Sequence, residues 1–125
     1  MIRDQISVVR ARRRAREMAK DLGFSEIEGE QIALCVTELG NNLWLHAGQG
    51  TLHLEALTAP GLGFRVRTVD EGPGIADIER ALEDGVSTGG GLGSGLAAVR
   101  RMMDEVVIRS ELDVGTWIEA VKWRS

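Results

Sequence analysis

Residues 70–74, Asp70-Glu71-Gly72-Pro73-Gly74, and residues 89–95, Gly89-Gly90-Gly91-Leu92-Gly93-Ser94-Gly95, decide how this chain reads. The first stretch closes the apolar run Leu62 to Val69, which predicts a strand. The second opens the run Leu96 to Asp104, where Leu96, Val99 and Met103 are spaced for the buried side of a helix. Glycine lets a backbone come close to a ligand and adopt positive φ. A helix that starts after a glycine run offers free N–H groups and the positive end of its dipole, which suits phosphate. A lone carboxylate at a strand end can accept a hydrogen bond from an exocyclic amine. The two stretches therefore read as halves of one nucleotide pocket.

A third stretch, Gln31 to Ala47 (QIALCVTELGNNLWLHA), makes the set specific. Ile32, Val36, Leu39 and Leu43 recur at helical spacing and predict a core stripe. Leu34 and Leu45 fall on another side of the helix, so it is apolar nearly all round and is expected to be buried. Glu38 is its only carboxylate, and Asn42 lies one turn on along the same face. A buried carboxylate without a partner costs several kcal/mol. A metal-bound ligand, a substrate hydroxyl or a neighbouring side chain would satisfy it.

Working outward, Ser25 and Glu28 form an S-x-x-E capping box that starts this helix. Residues 8–22 predict an earlier helix, buried through Val8, Ala11, Ala15, Met18, Ala19 and Leu22, with Gly23 suited to the left-handed position after its end. Thr51 to Leu57 and Leu62 to Val69 read as strands about an Ala59-Pro60-Gly61 turn. Ile78 to Leu82 predicts a short helix and Glu83 to Gly91 a glycine-rich loop. Val106 to Ser110 and Thr116 to Trp123 read as strands around Asp113-Val114-Gly115. Helices on one face of a mostly antiparallel sheet give an α+β two-layer sandwich, expected to be one domain over residues 1–125.

Composition agrees. The chain is 43% hydrophobic and 27% charged, ordinary for a globular domain, and its net charge of −4 argues against general nucleic-acid binding. One cysteine, Cys35, sits in the apolar helix and allows no internal disulfide. No signal peptide and no apolar run of transmembrane length is present, so a cytoplasmic protein is expected.

Glu38-Leu39-Gly40-Asn41-Asn42, Asp70-Glu71-Gly72-Pro73-Gly74 and Gly91-Leu92-Gly93-Ser94-Gly95 resemble the N, G1 and G2 boxes of the GHKL (Bergerat-fold) ATPases and kinases. Gly115-Thr116 resembles the late Gly-Thr element of the same pocket. The stretches FSEIEGEQIALCVTELGNN, VDEGPGI, EDGVSTGGGLGSGL, VRRMMDE and GTWIEAVKW are similar to switch kinases of the RsbT type, serine/threonine kinases of bacterial stressosomes. The anti-sigma kinases are more distant relatives. The family has a strand before its first helix, and only Met1 to Ser7 can supply it here, so an edge strand is expected to be short or missing.

The resemblance implies a set of roles. Asp70 accepts from the adenine amine, with Thr116 assisting. Gly72 and Gly74 let the chain pass close to the base. Asn42 gives a side-chain oxygen to Mg²⁺. Gly91, Gly93 and Gly95 donate N–H groups to phosphates, and residues 83–93 form a lid over ATP. Glu38, placed by spacing, acts as general base on the attacking hydroxyl. The implied reaction is transfer of phosphate from ATP to a protein Ser or Thr, with STAS-domain proteins of the stressosome as substrates, and a phosphatase regulator as a further partner. The alternative is an anti-sigma-like module whose nucleotide serves mainly to control sequestration of a partner. Position 41 is Asn where close relatives carry Arg, which puts target preference in doubt.

Other features read more plainly. Arg10, Arg12, Arg13, Arg14 and Arg16 crowd the first helix, as a solvated surface with apolar stems, as a docking patch for an acidic partner, or with one arginine reaching a phosphate. His46 reads as structural, His53 as exposed, and Trp44, Trp117 and Trp123 as packing. No G-x-x-x-x-G-K-[ST] is present, and the G-x-G-x-x-A match at Gly93 to Ala98 does not directly follow a strand as a dinucleotide fold requires.

Overall fold

The computed structural model describes residues 1–74 and 92–125. The short helix expected at Ile78 to Leu82, the loop Glu83 to Gly91 and most of the expected lid fall outside the described residues.

Helix α1 (Gln5–Asp21) begins three residues earlier than its apolar spacing suggests, because Asp4 caps it: the Ser7 backbone N–H donates to Asp4 Oδ1 at 2.8 Å. Gly23, at φ 84°, ends it. Helix α2 (Glu26–His46) carries both halves of the expected capping box. The Glu28 N–H donates to Ser25 Oγ at 3.1 Å, and the Ser25 N–H donates to Glu28 Oε1 at 2.9 Å. The other Glu28 oxygen accepts from the Ser125 N–H and Oγ, each at 3.1 Å, which ties the start of α2 to the chain's last residue.

Ile32, Val36, Leu39 and Leu43 are buried as their spacing requires. Leu34 and Leu45 are not: they are 43% and 54% exposed. The helix is therefore buried on three sides and open on a fourth. The sheet lies beneath α2, α1 flanks it on one side and α3 (Leu92–Met102) on the other. In a two-layer sandwich the outermost face of the helix layer has nothing to pack against.

Strands β1 (Thr51–Leu57), β2 (Gly63–Asp70), β3 (Glu105–Glu111) and β4 (Gly115–Trp123) form one antiparallel sheet in the order β1-β2-β4-β3. The expected first strand is reduced to one bridge, in which Ile2 and Gly50 exchange hydrogen bonds of 2.7 and 2.9 Å. Phe64 and Val66 of β2 and Ile118 and Ala120 of β4 face the helices and join Ala15, Ile32, Leu39, Leu96 and Val99 in the core. At about 25 cal/mol per Å², burying such side chains is the main stabilising term. His53 is exposed, as expected. Arg65 pairs with Glu55 and with Glu119 across neighbouring strands, and Arg109 lies 5.4 Å over the Trp117 ring. Trp44 is half-buried against the Ile2, Val8 and Leu43 cluster, with its Nε1 donating to Asn41 Oδ1 at 3.1 Å. Cys35 is fully buried; burial first, and then the charge of Glu38, push its thiol up from the ordinary range.

Candidate nucleotide site

The pairing of β2 with β4 sets Asp70, the last residue of β2, directly across from Thr116 near the start of β4. Asp70 Oδ1 accepts the Gly72 N–H at 2.8 Å, which folds the chain back just after the strand. Thr116 is buried, and its Oγ1 lies 3.0 Å from Ser110 Oγ on β3.

The backbone around Asp70 is closed too tightly for side chains. A Cβ at Gly115 would stand 2.0 Å from the Asp70 carbonyl oxygen, and a Cβ at Gly72 would stand 2.6 Å from Ala47 Cβ. Gly74, at φ 81°, passes within reach of the Glu111 carbonyl, and the Asp113 N–H donates to the Pro73 oxygen at 2.9 Å. These approaches draw the end of β2, the β3–β4 turn and the end of α2 together.

Asn42, His46, Ala47, Asp70, Pro73, Gly74, Thr116 and Ile118 line one cavity of about 30 Å³. Wider openings of about 340 and 370 Å³ flank it, and Asp70 borders both. The small cavity is the floor of a site. It brings together Asn42, Asp70, Gly74 and Thr116, four residues singled out from three separate stretches of sequence. A groove of about 550 Å³ between α1 and α2, near Arg16 and Phe24, is larger but touches none of them.

Glu38 stands one turn of α2 before Asn42. It is half-buried, not buried as expected, because it lies toward the open side of α2. Its carboxylate faces the first turn of α3: a Cβ at Gly95 would sit 2.7 Å from Glu38 Oε2. Helix α3 starts at Leu92, so Gly93 and Gly95 lie within its first turn, whereas apolar spacing put its start at Leu96. Gly91 falls outside the described residues.

Two buried polar atoms on the cavity's α2 side, Asn42 Nδ2 and His46 Nε2, have no hydrogen-bond partner among the described residues. Buried polar atoms are seldom left unpaired, since each costs about 1–3 kcal/mol. Here they belong to residues that line the cavity where a polar ligand is expected, and the donor set fits a nucleotide. His46 is the residue that sequence reading set aside; its signal was its place four residues after Asn42, on the same side of the helix. Among the described residues no group of three or more His, Cys, Asp or Glu could hold a metal ion, and no helix is long and apolar enough to cross a membrane.

The layered fold, with a polar cavity between the sheet end and the last turns of α2, is that of a nucleotide-binding domain of the kinase–ATPase kind. Residues 3–122 match the histidine kinase-like ATPase domain, and the chain belongs to that family. It is 43% identical over 117 residues to the serine/threonine-protein kinase RsbT of Bacillus subtilis, covering 93% of this chain and 88% of that one. The chain is therefore a protein serine/threonine kinase of the RsbT type, in an ATP-dependent family. Solved structures show the same fold. The histidine kinase domain of the Erythrobacter litoralis EL346 blue-light activated histidine kinase superposes with a TM-score of 0.57 at 22% identity, over 78% of this chain and 45% of that one. The mycobacterial sensor histidine kinase MprB gives 0.57 at 19% identity, over 97% and 96%.

Proposed function

We propose that this kinase uses ATP and Mg²⁺ to phosphorylate a serine or threonine of STAS-domain proteins in a bacterial stress-signalling, partner-switching system. The observation that carries the reading is that Asn42, its Nδ2 without a partner among the described residues, lines one cavity with Asp70 and Thr116, one helical turn from Glu38. ATP supplies the phosphoryl group when bound, and the cation offsets its charge. Asp70 accepts the adenine amine, and Thr116 supports it from the neighbouring strand. Gly72 and Gly74 keep side chains away from the base. Asn42 turns its amide oxygen to the cation. Gly93 and Gly95 present backbone N–H groups to phosphates at the start of α3, and the resemblance adds Gly91 to that role. Glu38 orients the acceptor hydroxyl and takes its proton as the oxygen bonds to the γ-phosphorus, whose bond to the bridging oxygen breaks to release ADP.

The relative RsbT motivates the partner class, with a phosphatase regulator as a second partner and the cytoplasm as the place of action. The test is mass spectrometry of a purified stressosome STAS protein mixed with this kinase and Mg-ATP. A gain of one phosphate on a single Ser or Thr is expected. A stable complex without transfer would instead favour a sequestering module of the anti-sigma kind.

A further inference from the structure

We infer that the open strip of α2 around Glu38 is the docking surface for the protein acceptor, and that it fits a partner whose Ser or Thr stands within an apolar face; this rests on the reading of Glu38 as the base. Ile27, Leu34 and Leu45 are all exposed on α2, Ile27 by 73%. At 3.6 residues per turn, all three lie within about 40° of Glu38 around the helix axis. Leu34 is one turn before Glu38 and Leu45 two turns after it. Single exposed apolar side chains are ordinary, but three in one line through a catalytic carboxylate form a patch. Gln31 and Asn41 complete the strip, so Glu38 is its only charged residue. Glu30, at its margin, is already paired with Arg16 at 2.9 Å.

The reaction says what covers this strip. A protein kinase takes its acceptor hydroxyl from another chain, and a base works within about 2.6–3.2 Å of the proton it removes. The sheet, α1 and α3 occupy the other sides of α2, so the acceptor arrives across the open one. A hydroxyl brought that close to Glu38 puts the residues around it in contact with the next turn of helix, about 6 Å along the axis at Leu34. What they meet there is leucine and neutral amide. The matching surface is therefore apolar, which separates this strip from the exposed Arg13, Arg14 and Arg16 of α1, whose partner would be acidic.

The experiment measures phosphate transfer to the purified stressosome STAS protein at varied acceptor concentration, with ATP affinity by calorimetry and thermal unfolding alongside. It compares wild type with Leu34→Gln, Leu45→Gln, their methionine counterparts, and Val107→Thr. Val107 is the control, 42% exposed on the outer face of β3 while Val106 and Ile108 turn to the core. Each glutamine should raise the KM for the acceptor about tenfold, the size of a leucine taken out of an apolar contact, and leave kcat within about threefold. ATP affinity and unfolding temperature should hold, since both sites are exposed and Gln is a good helix former. The methionines keep the surface apolar and should stay within about threefold of wild type. Unchanged KM in both folded glutamine variants overturns the inference, as does an equal rise for Val107→Thr. A fall in kcat alone would mean that the strip positions Glu38 and not the partner, and a matching loss of ATP affinity would tie it to the nucleotide; either overturns it. So does a KM that climbs steeply with salt in wild type, which would put docking on the arginines of α1. Failure of the underlying reading looks different: a folded Glu38→Ala would transfer phosphate at the wild-type rate, or wild type would transfer none, and the inference falls with it.

Discussion

Gly95→Ala adds one methyl group and sets fold stability against chemistry. The new Cβ would stand 2.7 Å from Glu38 Oε2, against 3.4 Å for the start of ordinary contact. The obstacle is the free end of a flexible side chain, so the carboxylate gives way by about 0.7 Å while the backbone of α3 stays in place. Stability should not suffer: Ala is favoured over Gly inside a helix by about 1 kcal/mol, which offsets moving a half-exposed carboxylate. Chemistry should suffer. A general base works within about 2.6–3.2 Å of the proton it takes, and a misplacement of roughly 1 Å can cost about 10²-fold. Phosphotransfer to a protein acceptor is therefore expected to fall by about tenfold to a hundredfold. ATP affinity should stay within about threefold, because alanine keeps the backbone N–H that position 95 offers to phosphate and Glu38 does not line the Asp70 cavity. Single-turnover transfer, calorimetry and thermal unfolding measure the three quantities. A folded Gly95→Ala that transfers phosphate at the wild-type rate would refute the idea that this contact positions the base. A joint loss of stability and nucleotide affinity would refute the claim that only the carboxylate moves.

Glu38→Ala should lower transfer by about 10²–10⁴, the range of a general base, with ATP affinity nearly unchanged, whereas Asn42→Ala should impair Mg²⁺-dependent binding and transfer together; equal loss of nucleotide in both would make Glu38 structural. Asp70→Asn places a donor where the adenine amine needs an acceptor and should weaken ATP binding by about tenfold to a hundredfold, from roughly 1.5–3 kcal/mol for a charged hydrogen bond, as calorimetry would show. Burial alone would raise the Glu28 carboxyl, but hydrogen bonds from Ser25 and Ser125 outweigh it and hold it below the ordinary carboxylate range. Its stabilisation is thus fully present above the unfolded value of about 4.3 and is lost as pH falls from there through the lower folded value. Denaturant melts at stepped pH should show Glu28→Gln less stable by about 1–2 kcal/mol at pH 7, and the gap should narrow in acid. Cys35, buried and with a raised thiol, should resist thiol reagents until the chain is unfolded in denaturant.

Local chemistry wrote much of this molecule into its sequence. The Ser25–Glu28 box starts α2 because two backbone donors need partners within four residues of each other, and both partners are in the chain there. The core stripe Ile32, Val36, Leu39 and Leu43 follows from 3.6 residues per turn. The DEGPG stretch ends β2 because its glycines and proline cannot prolong a paired strand. The resemblance grouped Asn42, Asp70, Gly74 and Thr116 into one expected site before any coordinates, and all four line one cavity.

What remained undecided depended on distant segments meeting. Spacing gave the angle of Leu34 and Leu45 on α2, but only the placement of α1, α3 and the sheet left that side open. Spacing set Glu38 one turn before Asn42; only the arrival of α3 put Gly95 against its carboxylate. His46 looked like an ordinary helix-end histidine until the ends of β2 and β4 closed over it and left its Nε2 without a partner among the described residues. A residue's own preferences act within a few neighbours along the chain, and these fix caps, turns and periodic faces. Burial, close approach and an unmet hydrogen bond are properties of what packs alongside, and that was settled by tertiary structure alone.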